Sequence, residues 1–273
     1  MKYKIGFTAA ISEEDTIESA PVITAPRSSE AKKSVVQIHF PARNMTLAYY
    51  NDKFDLRRGD LVYVDGKLEG LRDRVVDVAY NFKIKLSKYQ RVIALVDTDV
   101  HGTFHLAGSH FVTFDREALP QSKARTWFKA PDAEDEEYVS GTSDEGAFAL
   151  SNLKDMKISS EIAERGHEYY IENRVRYICI DGAKGYAIVE GTEAYEVEFE
   201  YNNGMISKLI CSCFCSYNCK HEFAAMLQLR ETMEIIEKNY AAEYEKTGYF
   251  AAVCKGTLFN FAIDGKEAGS ITL

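Results

Sequence analysis

The chain has 273 residues, 46% of them hydrophobic and 27% charged, with a formal net charge of −9. That length suits two cores rather than one, and no apolar run approaches the roughly 20 residues that span a bilayer. Charge is uneven, with 17 basic against 11 acidic residues in 32–130 and 13 against 26 in 131–273, so a polyanion is favoured on the middle segment over the C-terminal half.

Residues 1–31 start with the short alternating run Lys2–Phe7. They continue as a polar, aperiodic stretch containing Pro21 and Pro26, which reads as a flexible leader. Met1–Phe7 lacks the apolar stretch of a secretory signal, and clustered cysteines without such a signal point to metal binding in the cytoplasm rather than to disulfides.

Residues 32–130 read as a β-rich domain. Val35–Phe40 and Met45–Tyr50 are rich in strand formers and flank the turn sequence Pro41-Ala42-Arg43-Asn44. Gly59-Asp60 leads into Leu61–Val64, Asp65-Gly66 is a hairpin signal, and Tyr89–Val96 is apolar enough to be a buried strand. Phe104–Gly108 and His110–Phe114 add two more candidates. Many short strands with glycine turns favour a small barrel or sandwich. The pattern from Phe54 through Gly59-Asp60, Gly70 and Val75-Val76 resembles the small β-barrels of KOW or Src-homology type, a likeness that transfers no functional residue.

Two constellations in this domain invite chemistry. Arg57, Arg58, Lys67, Arg72, Arg74, Lys83, Lys85, Lys88 and Arg91 alternate with Tyr63, Tyr80, Phe82 and Tyr89. Cations for phosphates and rings for bases are what single-strand binding surfaces combine; the competing reading is a solvated face over core aromatics, with seven carboxylates between Asp52 and Asp77. In Lys83-Ile84-Lys85-Leu86-Ser87-Lys88 the alternation lines cations on one face. His101, His105 and His110 with Asp97 and Asp99 have no regular ligand spacing, and a structural or solvent-facing role is expected for them.

Residues 118–129, with the single tryptophan Trp127, read as a short helix or as an arm packed on the barrel. Residues 131–150 are first acid-rich, then Gly/Ser-rich, and mark a linker. Residues 151–273 form the second domain. Ser159 or Ser160 caps a helix through Ile171, with Arg165-Gly166 as a tight contact point. Arg174–Ile180, Gly185–Gly191, Tyr195–Tyr201 and Met205–Cys211 follow as strands, joined by Asp181-Gly182 and Asn202-Asn203-Gly204. Glu222 to about Tyr244 has helical periodicity. Asp264-Gly265, between two apolar runs, suggests a closing hairpin.

Four of the six cysteines lie in Cys211-Ser212-Cys213-Phe214-Cys215-Ser216-Tyr217-Asn218-Cys219-Lys220-His221. On a strand Cys211 and Cys213 share a face, the gap lets the chain reverse, and Cys219 and His221 come from the start of the next helix. Three thiolates and an imidazole complete a tetrahedral shell with no open position, as in structural zinc sites. Cys213 with Cys215 is the alternative Cys-x-Cys pair, although Cys215 reads better as a free thiol; a reactive-thiol site is the alternative for the whole cluster. Cys179 and Cys254 read as ordinary buried thiols.

The helix with Arg165-Gly166-x-x-Tyr169-Tyr170, the strands after Val175, and Cys-x-Cys, a five-residue gap and Cys-x-His opening a helix together resemble a SWIM zinc finger, over roughly residues 155–230. The resemblance implies Zn²⁺ held by Cys211, Cys213, Cys219 and His221, in a module for nucleic-acid or protein interaction. The fold class expected is α+β, a small-barrel-like domain followed by a SWIM-like zinc domain. No nucleophile–base pair or phosphate-cradling loop stands out, so a non-enzymatic adaptor is expected. Its partner is nucleic acid through the basic 32–130 segment or a protein through the acidic C-terminal half, without a membrane; a thiol/zinc redox sensor is a third reading.

Overall fold

A computed structural model describes residues 4–6, 30–132, 141, 146–213, 215–263 and 270–272. The chain forms two compact units. The larger gathers Met1–Gly6, Thr98–Phe128 and Glu136–Leu273, and the smaller gathers Phe7–Asp97 and Lys129–Asp135. The α+β class is observed, with helices beside large antiparallel sheets. Most of the expected leader and linker, Phe214, and the Asp264-Gly265 turn lie outside the described residues.

A first short strand, β1 (Lys4–Gly6), belongs to the larger unit. The smaller unit contains β2 (Ser34–Phe40), β3 (Met45–Asn51), β4 (Leu61–Val64), β5 (Arg72–Ala79) and β6 (Val92–Leu95). They form one sheet in the order β3-β2-β5-β4-β6, with antiparallel neighbours. A parallel bridge from Tyr50 to Arg91, just before β6, brings the two sheet edges together as in a small barrel. Alternation along β2 sends Val36, Ile38 and Phe40 inward to meet Leu56, Val62, Val64, Val75 and Val92. The β2–β3 connection turns at Asn44, whose φ of 45° lies in the left-handed region that asparagine tolerates.

The larger unit runs through β7 (His105–Ala107), β8 (His110–Thr113), α1 (Gln121–Phe128), β9 (Phe148–Ala149), α2 (Ser160–Ile171), β10 (Val175–Asp181), β11 (Lys184–Glu190), β12 (Ala194–Asn202) and β13 (Met205–Cys211). It continues through α3 (Lys220–Asn239), α4 (Ala241–Thr247), β14 (Tyr249–Cys254), α5 (Lys255–Leu258) and β15 (Ser270–Thr272). Its main sheet has eight strands in the order β7-β8-β14-β10-β11-β12-β13-β9, with antiparallel pairs. One face, with Ile178, Ile180, Val189, Val197 and Phe199, packs in a core with Ala224, Met226, Leu229, Met233 and Ile236 of α3. The opposite face holds Tyr177, whose hydroxyl donates to the Leu119 carbonyl at 2.9 Å. Trp127 on α1 is fully buried and stacks on Phe261 at 4.9 Å.

Three expectations change here. Phe104–Gly108 and His110–Phe114 were assigned to the 32–130 domain, but His110–Thr113 pairs with Ala251–Cys254 in the larger sheet. Strand composition reports a pleated, half-buried surface and carries no information about the partner. Among the described residues from Phe250 onward, no strand pairs with another of the same stretch. Its β14 is buried along its whole length between β8 and β10, and β15 pairs with β1. The long helix after His221 is two helices, broken at Tyr240, where φ −140° and ψ 25° leave the helical region.

Candidate metal centre

The site forms where β13 ends and α3 begins. Hairpin pairing with β12 fixes β13, and Cys211 sits opposite Val197 at its last position. The strand then stops and Ser212-Cys213 is a turn, so Cys213 reaches the site by chain reversal, not by the strand alternation expected. Cys219 is the N-cap of α3, with extended backbone at φ −110° and ψ 172°. His221 lies in the helix's first turn and is buried.

The ligand atoms of Cys211, Cys213, Cys219 and His221 all lie within 4.8 Å of one another. Nδ1 of His221 is 3.7 Å from Sγ of Cys211 and 3.7 Å from Sγ of Cys219. Zinc bonds of about 2.3 Å to sulfur and about 2.1 Å to nitrogen, at tetrahedral angles, set S–N edges of about 3.6 Å. The donors present therefore fit a tetrahedral metal ion. Cys211, Cys219 and His221 are buried and Cys213 is half-buried, whereas Cys215 is exposed and outside the quartet.

Local capping explains why Cys219 is placed so firmly. Its sulfur accepts from the Glu222 backbone N–H at 3.5 Å, while the Glu222 carboxylate accepts from the Cys219 N–H at 2.7 Å. This is a capping box with cysteine where serine or threonine usually stands. The Cys219-x-x-Glu222 spacing carried that signal, and the sequence reading passed over it. Tyr195 was also missed: its ring stacks on His221 with centroids 4.0 Å apart. Tyr169 packs beside His221 at 5.5 Å, and both Lys220 and Arg174 lie against the Tyr169 ring. Nε2 of His221 is buried without a hydrogen-bond partner.

The thiols do not ionise alike. A hydrogen bond from the Cys211 thiol, opposed by burial and assisted by His221 and the Glu222 amide, holds Cys219 down at about 4. Cys211 is pushed far up by that same hydrogen bond and by burial. Burial first, with other contacts contributing, raises Cys213 to about 12. Burial, and then the negative charge on Cys219, pushes Glu222 up to about 8. Cys219, at the positive end of α3, therefore gives up its proton most readily of the three thiols, and a metal ion bound there would compete with protons for the sulfurs.

The histidines read as a loose cluster do not join a second metal-competent group among the described residues. His110 is fully buried and bonded to the Val175 carbonyl at 2.8 Å. His105 packs against Tyr240 and Phe114, and His101 is exposed. In the basic set, Arg91 pairs with Asp52, and Arg72 donates to the Tyr63 hydroxyl at 3.1 Å. Lys83, Lys85 and Lys88 are exposed.

No protein-family profile and no solved structure matches the chain. A stretch of 70 residues is 36% identical to the uncharacterized protein MJ1493 of Methanocaldococcus jannaschii. That match spans 25% of this chain and 29% of the archaeal protein. No helix among the described residues is long and apolar enough to cross a membrane.

Proposed function

We propose that the protein is a non-enzymatic adaptor whose larger unit is a SWIM-like module built on structural zinc, and whose smaller unit contacts nucleic acid. The observation that carries the reading is the quartet itself: three sulfurs and one ring nitrogen within 4.8 Å, mostly buried at the joint of a strand and a helix. Zinc is the ion that three thiolates and an imidazole suit best. Cys211, Cys213, Cys219 and His221 would hold it. Four protein ligands fill a tetrahedral shell, so the ion's contribution is to tie β13 to α3 and to leave no coordination position for a substrate.

The smaller unit supplies the electrostatic case for nucleic acid, because its residues 32–97 hold 13 basic against 8 acidic side chains. Titration of the full chain with single- and double-stranded DNA and RNA at low salt is expected to give binding that weakens steeply as salt rises. Absence of binding to all four would remove the nucleic-acid reading. It would leave the alternative that the larger unit docks a protein, which a specific observation favours: the exposed positions of α2 carry Glu161, Glu164 and Glu168 against Arg165, a surface that repels phosphates.

A further inference from the structure

We infer that residues 79–88 of the smaller unit form the binding edge for a single-stranded nucleic acid, with Tyr80 as the stacking platform and Lys83, Lys85 and Lys88 as the phosphate contacts. The inference rests on the nucleic-acid reading above and narrows it to one surface and one class of ligand.

The segment leaves the end of β5, bends at Tyr80-Asn81 and runs as an irregular strap to a 3-10 turn at Leu86–Lys88 before β6. Its burial alternates. Phe82 and Ile84 are half-buried, and Phe82 meets the edge of Tyr50 at 6.1 Å. Asn81, Lys83 and Lys85 are exposed between them. With burial alternating over 82–85, Lys83 and Lys85 share the exposed side, and Lys88 continues the row from the turn. Residues 78–90 contain no Asp or Glu. The carboxylates on the adjoining loop are already engaged: Asp52 pairs with Arg91, and the buried Asp55 pairs with Lys32 and Arg57. Among the described residues no ion pair involves Lys83, Lys85 or Lys88.

Tyr80 is 52% exposed, and its hydroxyl donates to the Leu56 carbonyl at 3.4 Å. The ring is thus tethered at its polar tip while much of it meets solvent. A fixed aromatic ring beside a row of unpaired cations is the combination that holds single strands, one part for bases and the other for phosphates. A duplex is a poorer fit, because major-groove readers insert a helix or a two-stranded ribbon and this strap is a single irregular segment outside any strand ladder. A lipid surface is also a poorer fit: Leu86 is the other large exposed apolar side chain of the strap, and the Tyr80 tip is held to the protein.

The test is fluorescence anisotropy of the full chain with a labelled thymidine oligomer of about 20 nucleotides, long enough for one site. It is repeated with uridine and duplex probes and with phosphatidylserine vesicles. Tyr80→Ala is expected to weaken binding to the single strands about fivefold or more, as loss of one stacked base does. Replacing Lys83, Lys85 and Lys88 together by Ala is expected to make the slope of log affinity on log salt shallower by about 2, since each single-strand phosphate contact contributes about 0.7. Arg43→Ala, at an exposed turn elsewhere in the unit, is expected to leave the slope unchanged. Wild-type binding that survives both strap variants would overturn the inference alone. Failure of the wild type to bind any nucleic acid would overturn the broader reading with it. Tighter binding to duplex, or a strap-dependent preference for vesicles over oligomers, would also overturn it.

Discussion

In the smaller unit the joint after β3 is held by an amide; in the larger, the joint after β13 gathers three sulfurs and an imidazole. The Asn51 side chain is fully buried, donates to the carbonyls of Lys32 and Phe54 at 3.1 and 2.7 Å, and accepts from the Phe54 N–H at 3.1 Å. Those bonds are satisfied within the chain. The sulfurs of Cys211 and Cys219 also belong to a buried core, alongside Val197, Ala224 and Ala225, and with Cys213 and His221 they form a group that could hold a metal ion. The comparison teaches that two joints can answer to solution conditions in different ways: one closes with hydrogen bonds inside the polypeptide, while the other gathers donors compatible with a metal ion.

Chelation should separate them most strongly. Zinc contributes about 10–16 kcal/mol to folding in small zinc domains, so removing it is expected to abolish the calorimetric transition of the larger unit and to keep that of the smaller. Cys219→Ser is expected to give the same result and to lower zinc content measured by elemental analysis, whereas Cys215→Ser keeps one zinc per chain. Joint loss of both transitions would break the comparison.

Acid comes next. The Val175 carbonyl can only accept, so His110 Nε2 carries the proton and Nδ1 accepts from the Ser109 hydroxyl at 2.9 Å. Burial above all, with Lys255 and Arg176 opposing a further positive charge, lowers His110 to about 4. The unfolded chain takes up this proton near pH 6.5, the folded chain only near pH 4. This contribution is therefore constant above pH 6.5, is lost as pH falls from 6.5 to 4, and amounts to about 3 kcal/mol. Denaturant unfolding of metal-loaded protein across that window should show the slope in the larger unit, and H110Q should flatten it. The smallest effect is expected for Asn51→Ala, which strands buried backbone groups and costs the smaller unit about 2 kcal/mol; a shift in the larger unit's transition instead would contradict the assignment.

The parts of this arrangement that were legible in the sequence are local. Tyr195–Tyr201 alternates and forms β12; Asp181-Gly182 and Asn202-Asn203-Gly204 make the turns; Ser159 caps α2 by accepting from the Ile162 N–H. Gly166 was recognised as a contact point, and a Cβ there would lie 2.9 Å from the Lys220 carbonyl oxygen, which is how closely α2 passes the start of α3. The gathering of Cys211, Cys213, Cys219 and His221 was legible because their spacing is compact and such donors are chemically rare. Partnership between distant strands was not. His110–Thr113 and Tyr249–Cys254 are far apart in the chain, and nothing in either segment names the other. The unbroken apolar run of Tyr249–Cys254 did hint at burial on both faces, the mark of a strand inside a sheet. The turn at Ser212-Cys213 was invisible because strand alternation and chain reversal can both bring two cysteines to one ion.

The capping role of Cys219 decides which lengths of this segment can drift. Residues 215–217 are exposed, with Tyr217 65% accessible, so a residue gained or lost there lengthens or shortens a surface loop while both ends stay anchored. The interval from Cys219 to His221 has no such freedom. Cys219 is fixed as the cap, and one inserted residue rotates everything after it by about 100° around the helix axis, carrying His221 away from the sulfurs and Phe223 away from Gly166. Length variation in natural variants is therefore expected between the two cysteine-bearing ends, and absent from the last three residues of the site.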